Sequence, residues 1–306
     1  MQAASYAPIA GTLSDQHFNH LSKLIEAKIG IRLPPNKRTM VEGRLRKRLK
    51  ALGLANIEAY GDFIFEDGAL DEELPHLIDC MTTNKTDFFR EPNHFNILLD
   101  RMLPELLSTA LPGQGRNIKV WSAASSIGAE AFTIAMVLDQ ALKGRPRTSY
   151  SILGTDICTD VLHQAARAIY PVEMIAPIPS DMQKRYLMRA RQPGRPEVRI
   201  VPELRRNVTF KHLNLMDPTY PVDRDMDVIF CRNILIYFNK PIQDQVVSRL
   251  ISHLRPGGYL VLGHSESMAG GNQPDITQVV PTVFRRNAAT KEQAQCPPAQ
   301  KRRLAS

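Results

Sequence analysis

No stretch of this 306-residue chain approaches the ~18 consecutive apolar residues needed to cross a bilayer. The opening residues, MQAASYAPIAG, lack the basic start and apolar core of a secretory signal. These two absences lead us to expect a cytoplasmic protein without membrane insertion. Cysteine is scarce: Cys80, Cys158, Cys231 and Cys296 form no C-x-x-C pair. His76 precedes Cys80 by one helical turn, but no second ligand pair accompanies it. Neither a disulfide nor a metal site is expected from that pattern. Acidic residues are nearly missing between Arg32 and Lys50, where eight Lys and Arg face only Glu42. So local an excess of positive charge predicts an acidic partner: nucleic acid, a membrane surface or an acidic protein.

What is present is ordinary globular composition, 43% hydrophobic and 23% charged, with a net charge of +8. From Ser14 to about Ala110 the rhythm is helical. Phe18, Leu21, Leu24 and Ile25 make one apolar face behind a Ser14-Asp15 cap. Pro34-Pro35 should break that helix. In the next one, Val41, Leu45, Leu49 and Leu52 form a stripe that Gly53 ends. Lys37, Arg44, Lys47 and Arg48 cluster beside the stripe on a helical wheel, although such a face also serves plain solubility. Further helices are expected near Ile57–Phe65, Leu70–Cys80 and Pro92–Ser108.

Residues 111–116, LPGQGR, read as a linker. Beyond them strands and helices alternate: strands at Ile118–Ala123, Tyr150–Thr155, Asp227–Cys231 and Tyr259–Leu262, helices at Ala129–Leu142, Asp160–Ile169 and Ile242–Leu254. Alternation of this kind predicts a doubly wound, Rossmann-like, mainly parallel α/β sheet. A small antiparallel β insertion is expected near 190–212, and edge strands over Gln278–Arg286. The expected organisation is an all-α domain over 12–110, an α/β domain over 111–286 and a disordered tail over 287–306.

Three clusters carry chemistry. The turn VWSAASSIGAEAF, residues 120–132, has a run of small residues but one glycine where a dinucleotide site has three. That argues against a diphosphate cradle. It suits S-adenosylmethionine, which has no phosphate and whose positive charge would meet Glu130. Asp156, 28 residues beyond Gly128, ends the second strand, where an acid accepts from ribose hydroxyls or simply caps a helix. The third cluster, TTNKTDFFREPNHF over 82–95, offers Asn84, Thr86 and Arg90 between phenylalanines. By composition alone it reads first as a solvated helix junction.

The segments TTNKTDFFR, VWSAASSIGAEAFT, GTDICTDVLHQA, HLNL, FCRNILIYF and LGHSES stand in order along residues 14 to 285. Together they resemble the CheR family of chemoreceptor glutamate methyltransferases. The resemblance implies S-adenosylmethionine contacts at Asn84, Thr86, Arg90, Glu130, Asp156, Asn214, Leu215, Asn233 and Ile234. It places Arg90 and Tyr237 near the transferred methyl, Arg90 to orient the incoming carboxylate and Tyr237 to hydrogen-bond beside the methyl. The implied product is a glutamyl methyl ester on methyl-accepting chemotaxis receptors. Lys37, Arg44, Lys47 and Arg48 would then meet an acidic receptor bundle. The β insertion corresponds to a subdomain that in some members grips a pentapeptide at the receptor's C-terminus. One departure stands out: the family's Gly-Glu-Glu-Pro-Tyr is here Gly128-Ala129-Glu130-Ala131-Phe132.

Two other functions compete. A nucleic-acid methyltransferase would suit the basic helix, but Asn233-Ile-Leu-Ile-Tyr237 lacks the prolines of an Asn/Asp-Pro-Pro-Tyr element. Ala129 and Ala131 would suit a non-catalytic adaptor that binds the cofactor without turnover. Gly263-His-Ser-Glu-Ser267 is no nucleophile elbow, since the closing glycine is missing.

Overall fold

The computed structural model describes residues 11–109, 115–189, 194, 196–266 and 273–288. The expected leader, the core of the linker and nearly all of the tail lie outside them. The N-terminal helices are α1 (Asp15–Ile29), α2 (Arg38–Leu52), α3 (Ile57–Phe65) and α4 (Leu70–Met81). Ser14 caps α1 by accepting from His17 N. Gly30, at φ 73°, ends it before Pro34-Pro35 is reached. The stripe of α2 packs as expected, with Val41, Leu45 and Leu49 fully buried against Phe18, Leu21 and Ile25 of α1.

A second helical run, α5 (Asn93–Ile97) and α6 (Leu103–Ser108), is joined through a π-helical turn at Leu98–Met102. Its apolar side, Phe95, Leu98, Met102 and Leu106, belongs to the core beneath the sheet and not to the N-terminal bundle. The change of packing partner therefore falls near residue 83, earlier than the expected boundary at 110. A helix's period reveals its apolar stripe but not which core receives it.

The sheet uses β1 (Arg116–Ala123), β2 (Thr148–Asp156), β6 (Val208–His212), β7 (Met226–Cys231), β8 (Leu254–Leu262), β9 (Ile276–Val280) and β10 (Val283–Arg286) in the order β6-β2-β1-β7-β8-β10-β9. The first five are mutually parallel, and β10 and β9 close the edge antiparallel. Helices α7 (Ala129–Ala141), α8 (Thr159–Arg167) and α11 (Lys240–His253) make the crossovers. The order reverses at β1 and β7, so a crevice opens at the C-terminal ends of these strands.

The β insertion differs from expectation. It is a three-stranded antiparallel sheet, β3 (Ile169–Pro171), β5 (Glu197–Ile200) and β4 (Leu187–Arg189), followed by the short α10 (Pro202–Arg205); α9 (Ser180–Tyr186) lies within it. Val208–His212, expected in the insertion, is instead the edge strand of the main sheet, with Val208 opposite Ile152. Asp79 on α4 joins the two layers by accepting from Thr159 N and Thr159 Oγ1 at the start of α8, at 3.2 and 3.0 Å.

Candidate active site

The crevice is lined by every residue the sequence nominated for the cofactor and the methyl: Asn84, Thr86, Arg90, Glu130, Asp156, Asn214, Leu215, Asn233, Ile234 and Tyr237. They come from five separate segments, and the backbone that presents them is unusual. Ala124, Ser126 and Gly128, in the turn after β1, all have positive φ, at 56°, 50° and 84°. For the two non-glycine residues this conformation is costly unless the surroundings hold it. At Gly128 even a methyl would meet Phe210 at 2.9 Å.

Asp156 supplies part of the hold. Its carboxylate accepts from Ser126 N at 2.8 Å and from Cys158 N at 3.0 Å. Burial pushes its carboxyl above the usual range, against the pull of these N–H donors. It lines the crevice, and its bond to Cys158 N lies ahead of α8, whose N-cap residue Cys158 has no side-chain cap, so the helix-cap alternative weighed from sequence does not hold. A carboxylate has about four acceptor positions, which leaves capacity for ribose hydroxyls. Ser126 Oγ donates to Asn84 O at 2.8 Å, pinning the 82–86 segment over the turn.

The opposite wall is a charge network in which Glu130 was nominated from sequence but Arg232 and Glu91 were not. Arg232, at the end of β7, is buried, and its guanidinium reaches Glu130 Oε2 at 2.9 Å and Glu91 Oε2 at 3.1 Å. It also donates to Arg90 O. Ser122 Oγ donates to Glu130 Oε1 at 2.6 Å. Glu91 and Glu130 share this one guanidinium, and with Asp87, Glu130 and Asp156 against Lys85, Arg90 and Arg232 the crevice lining carries charges of both signs. Glu91 also accepts from Asn233 Nδ2 at 3.0 Å. Asn233, the opposing residue after β7, again has positive φ, at 61°. Glu266 imposes this shape: its buried carboxylate accepts from Gly263 N, Asn233 N and Leu235 N at 2.7 to 2.9 Å. Within the LGHSES segment, Glu266 is therefore a clamp on the 232–235 turn. The signal available in sequence was its position, just past the end of β8 at the same rim.

Not every nominated side chain is free for a ligand. Asn214 donates to Lys28 O at 2.8 Å and accepts from Met216 N at 2.9 Å, which ties the crevice to the end of α1. Arg90 donates to Lys85 O at 3.1 Å and stays half-buried in the crevice. Of the expected basic face, Lys37, in the 3-10 turn just before α2, and Lys47 on α2 are exposed. Arg44 is engaged within the fold, with Met81 O, Thr82 O and Thr83 Oγ1. Arg48 holds both oxygens of buried Glu73, at 2.6 and 2.7 Å. Ala129 and Ala131 are fully buried in the core, whereas Glu130 between them faces the crevice.

These features fit S-adenosylmethionine. The left-handed turn of small residues allows close approach, Asp156 has spare acceptor capacity, and the Glu130 carboxylate lines the crevice, where it can face a cation. A family model described as the SAM binding domain of CheR methyltransferase matches residues 84–284. A second, the CheR all-alpha domain, matches residues 16–82. A chemotaxis protein methyltransferase of Borreliella burgdorferi is 34% identical over 276 residues, covering 90% of this chain and 95% of its own. The Klebsiella aerogenes protein of the same name is 39% identical over 263 residues, covering 84% and 85%. That of Escherichia coli K12 is 38% identical over 257 residues, covering 84% and 86%.

Proposed function

The chain belongs to the CheR methyltransferase family, and from that premise we propose that it methylates glutamate side-chain carboxylates of chemoreceptors, giving methyl esters. The observation that carries this reading is that one crevice brings together Glu130 and Asp156, both held by neighbouring donors, with Arg90 and Tyr237. Asn84, Glu130, Asp156, the Asn214-Leu215 backbone and the Asn233-Ile234 turn would hold the cofactor. Bound there, S-adenosylmethionine supplies an electrophilic methyl on a sulfonium. The chain's own residues need provide neither a metal nor a strong base, because a glutamate is already ionised at neutral pH, with an unperturbed pKa of about 4.3. They must align the carboxylate and strip it of water.

Arg90 and Tyr237, both lining the crevice, are assigned to that task. Arg90→Ala and Tyr237→Phe should each lower kcat at saturating cofactor, by ten- to a hundred-fold, as expected for loss of one orienting group. If each weakened only cofactor binding and left kcat intact, the assignment would fail. To test the reaction itself, a receptor cytoplasmic fragment is incubated with methyl-labelled cofactor and then with mild base. Released methanol identifies a carboxyl ester; base-stable label places the methyl on nitrogen and sinks the glutamate reading.

The receptor contact is assigned to α2 and the turn before it, with Lys37 and Lys47 as its outward charges and Arg44 and Arg48 contributing from within the fold. Charge of this kind aids encounter and is weakened by salt. KM for the receptor fragment should therefore rise with ionic strength while kcat holds; a salt-independent KM contradicts the assignment. The same assay with a receptor lacking its last five residues reports on the three-stranded sheet, whose edge strands suit an added peptide strand. A higher KM is expected.

A further inference from the structure

Away from the crevice, the helical domain holds an imidazole set among three carboxylates. His17, in the first turn of α1, is 4% exposed. Its Nδ1 lies 2.7 Å from Glu58 Oε1, out of line for a hydrogen bond, and that buried nitrogen has no hydrogen-bond partner. Its Nε2 faces Asp62 Oδ1 and Glu66 Oε1, each at 3.7 Å. Both distances are too long for a hydrogen bond and short enough for a shared ion.

The pocket for the ring is built into the sequence. A β-carbon at Gly61 would lie 2.3 Å from His17 Nδ1, so glycine makes the space the imidazole fills. Phe65 stacks on the ring with centroids 5.9 Å apart. Glu58 is itself anchored, accepting from Ser14 N at 2.6 Å. Metal-bound histidines commonly have a carboxylate beside the second ring nitrogen, which orients the ring and raises its basicity.

We propose that His17 Nε2, Asp62 and Glu66 form a binding site for one divalent transition-metal ion of the zinc class, joining α1 to α3. The donor atoms all lie within 4.8 Å of one another. With two edges of 3.7 Å, an ion equidistant from the three sits about 2.0–2.4 Å from each, the range of zinc–nitrogen and zinc–oxygen bonds. A nitrogen donor with two carboxylates favours zinc, manganese or a similar ion over calcium. Two carboxylates half-exposed or more leave coordination positions for water. Asp62 and Glu66 sit one helical turn apart, and His17 comes from another helix, so no spacing in the sequence marks the site.

A second trio, Glu91, His94 and His264, has similar spacing. It is a poorer site, because Glu91 there already accepts from Asn233 and His264 N and pairs with the Arg232 cation at 3.1 Å. Twelve residues, about 18 Å of helix, separate His17 from Ile29 at the crevice. The ion is therefore a brace on α1 and not part of the chemistry.

The test uses the full-length chain, stripped with a chelator and titrated with zinc in a calorimeter. One tight site is expected, with a rise in Tm of several degrees at excess zinc. Asp62→Asn and Glu66→Gln, on the exposed side, should each weaken that site at least tenfold, and His264→Gln should leave it unchanged. The surface variants carry the test if His17→Gln does not fold. Equal binding by the wild type and both carboxylate variants would place the ion elsewhere. No binding at all would leave His17 as an ordinary ion-pair partner. Either result overturns the proposal.

Discussion

Arg232→Ala is expected to cost the fold about 3–5 kcal/mol, as removal of one partner from a buried ion pair does, and to abolish measurable cofactor binding. The guanidinium pairs with both Glu91 and Glu130, at 3.1 and 2.9 Å. Without it, two half-buried carboxylates on the same wall are left with their shared cation gone. The same change reaches His94. Burial, with Arg232 alongside, holds that imidazole down to about 4. A histidine whose folded pKa lies below its unfolded value of about 6.5 gives stability that is present above 6.5 and lost as pH falls towards 4. Removing Arg232 lifts one of those causes and leaves Glu91, 3.4 Å from His94 Nδ1, free to pair with an imidazolium. The penalty of Arg232→Ala should therefore shrink between pH 7 and pH 5. Urea unfolding of both chains at the two pH values measures it, and an undiminished penalty at pH 5 would mean that His94 does not sense Arg232.

Glu266→Ala should have the second largest effect, about 3 kcal/mol or more. Three backbone N–H groups, of Gly263, Asn233 and Leu235, lose the one acceptor they have among the described residues. Each unsatisfied buried donor costs about 1–3 kcal/mol. Burial raises Glu266 above the usual carboxylate range and opposes part of this gain, so the net is below the sum. The effect on function is more specific than the effect on stability. Asn233 at φ 61° has no intrinsic reason to stay there, and the clamp is what holds it. Cofactor affinity should fall by at least tenfold in Glu266→Ala, measured by calorimetry at a temperature where the variant remains folded. Glu266→Gln should recover little, because an amide NH2 would point at backbone donors that need an acceptor. An unchanged cofactor Kd in either variant would show that the 232–235 turn keeps its shape unaided.

Local pattern located most of the pieces. The 3.6-residue stripe of Val41, Leu45 and Leu49 needs no partner to be recognised, nor does the apolar run that becomes β7. The rim residues were legible because strand ends in an alternating α/β chain are placed by topology, and the ordered motifs resembled a known set. The strand at Val208–His212 was misplaced because its partner, β2, lies more than fifty residues earlier, and parallel pairing leaves no hairpin signal between them. Arg44 and Arg48 share the expected basic face with Lys37 and Lys47, yet the fold turns them to Thr82 and Glu73. A helical wheel gives direction around one axis and cannot say what lies opposite.

The sequence by itself thus determined the class of sheet, the helical domain before it and the set of residues around the crevice. Periodicity and motif order are properties of contiguous chain. Only the tertiary structure decided the electrostatics: that Arg232 serves both Glu91 and Glu130, that Glu266 shapes the Asn233 turn, and that His17 stands among Glu58, Asp62 and Glu66. These groups are tens to more than a hundred residues apart, and charge and hydrogen bonding act through space over a few ångströms, which the order of residues does not record.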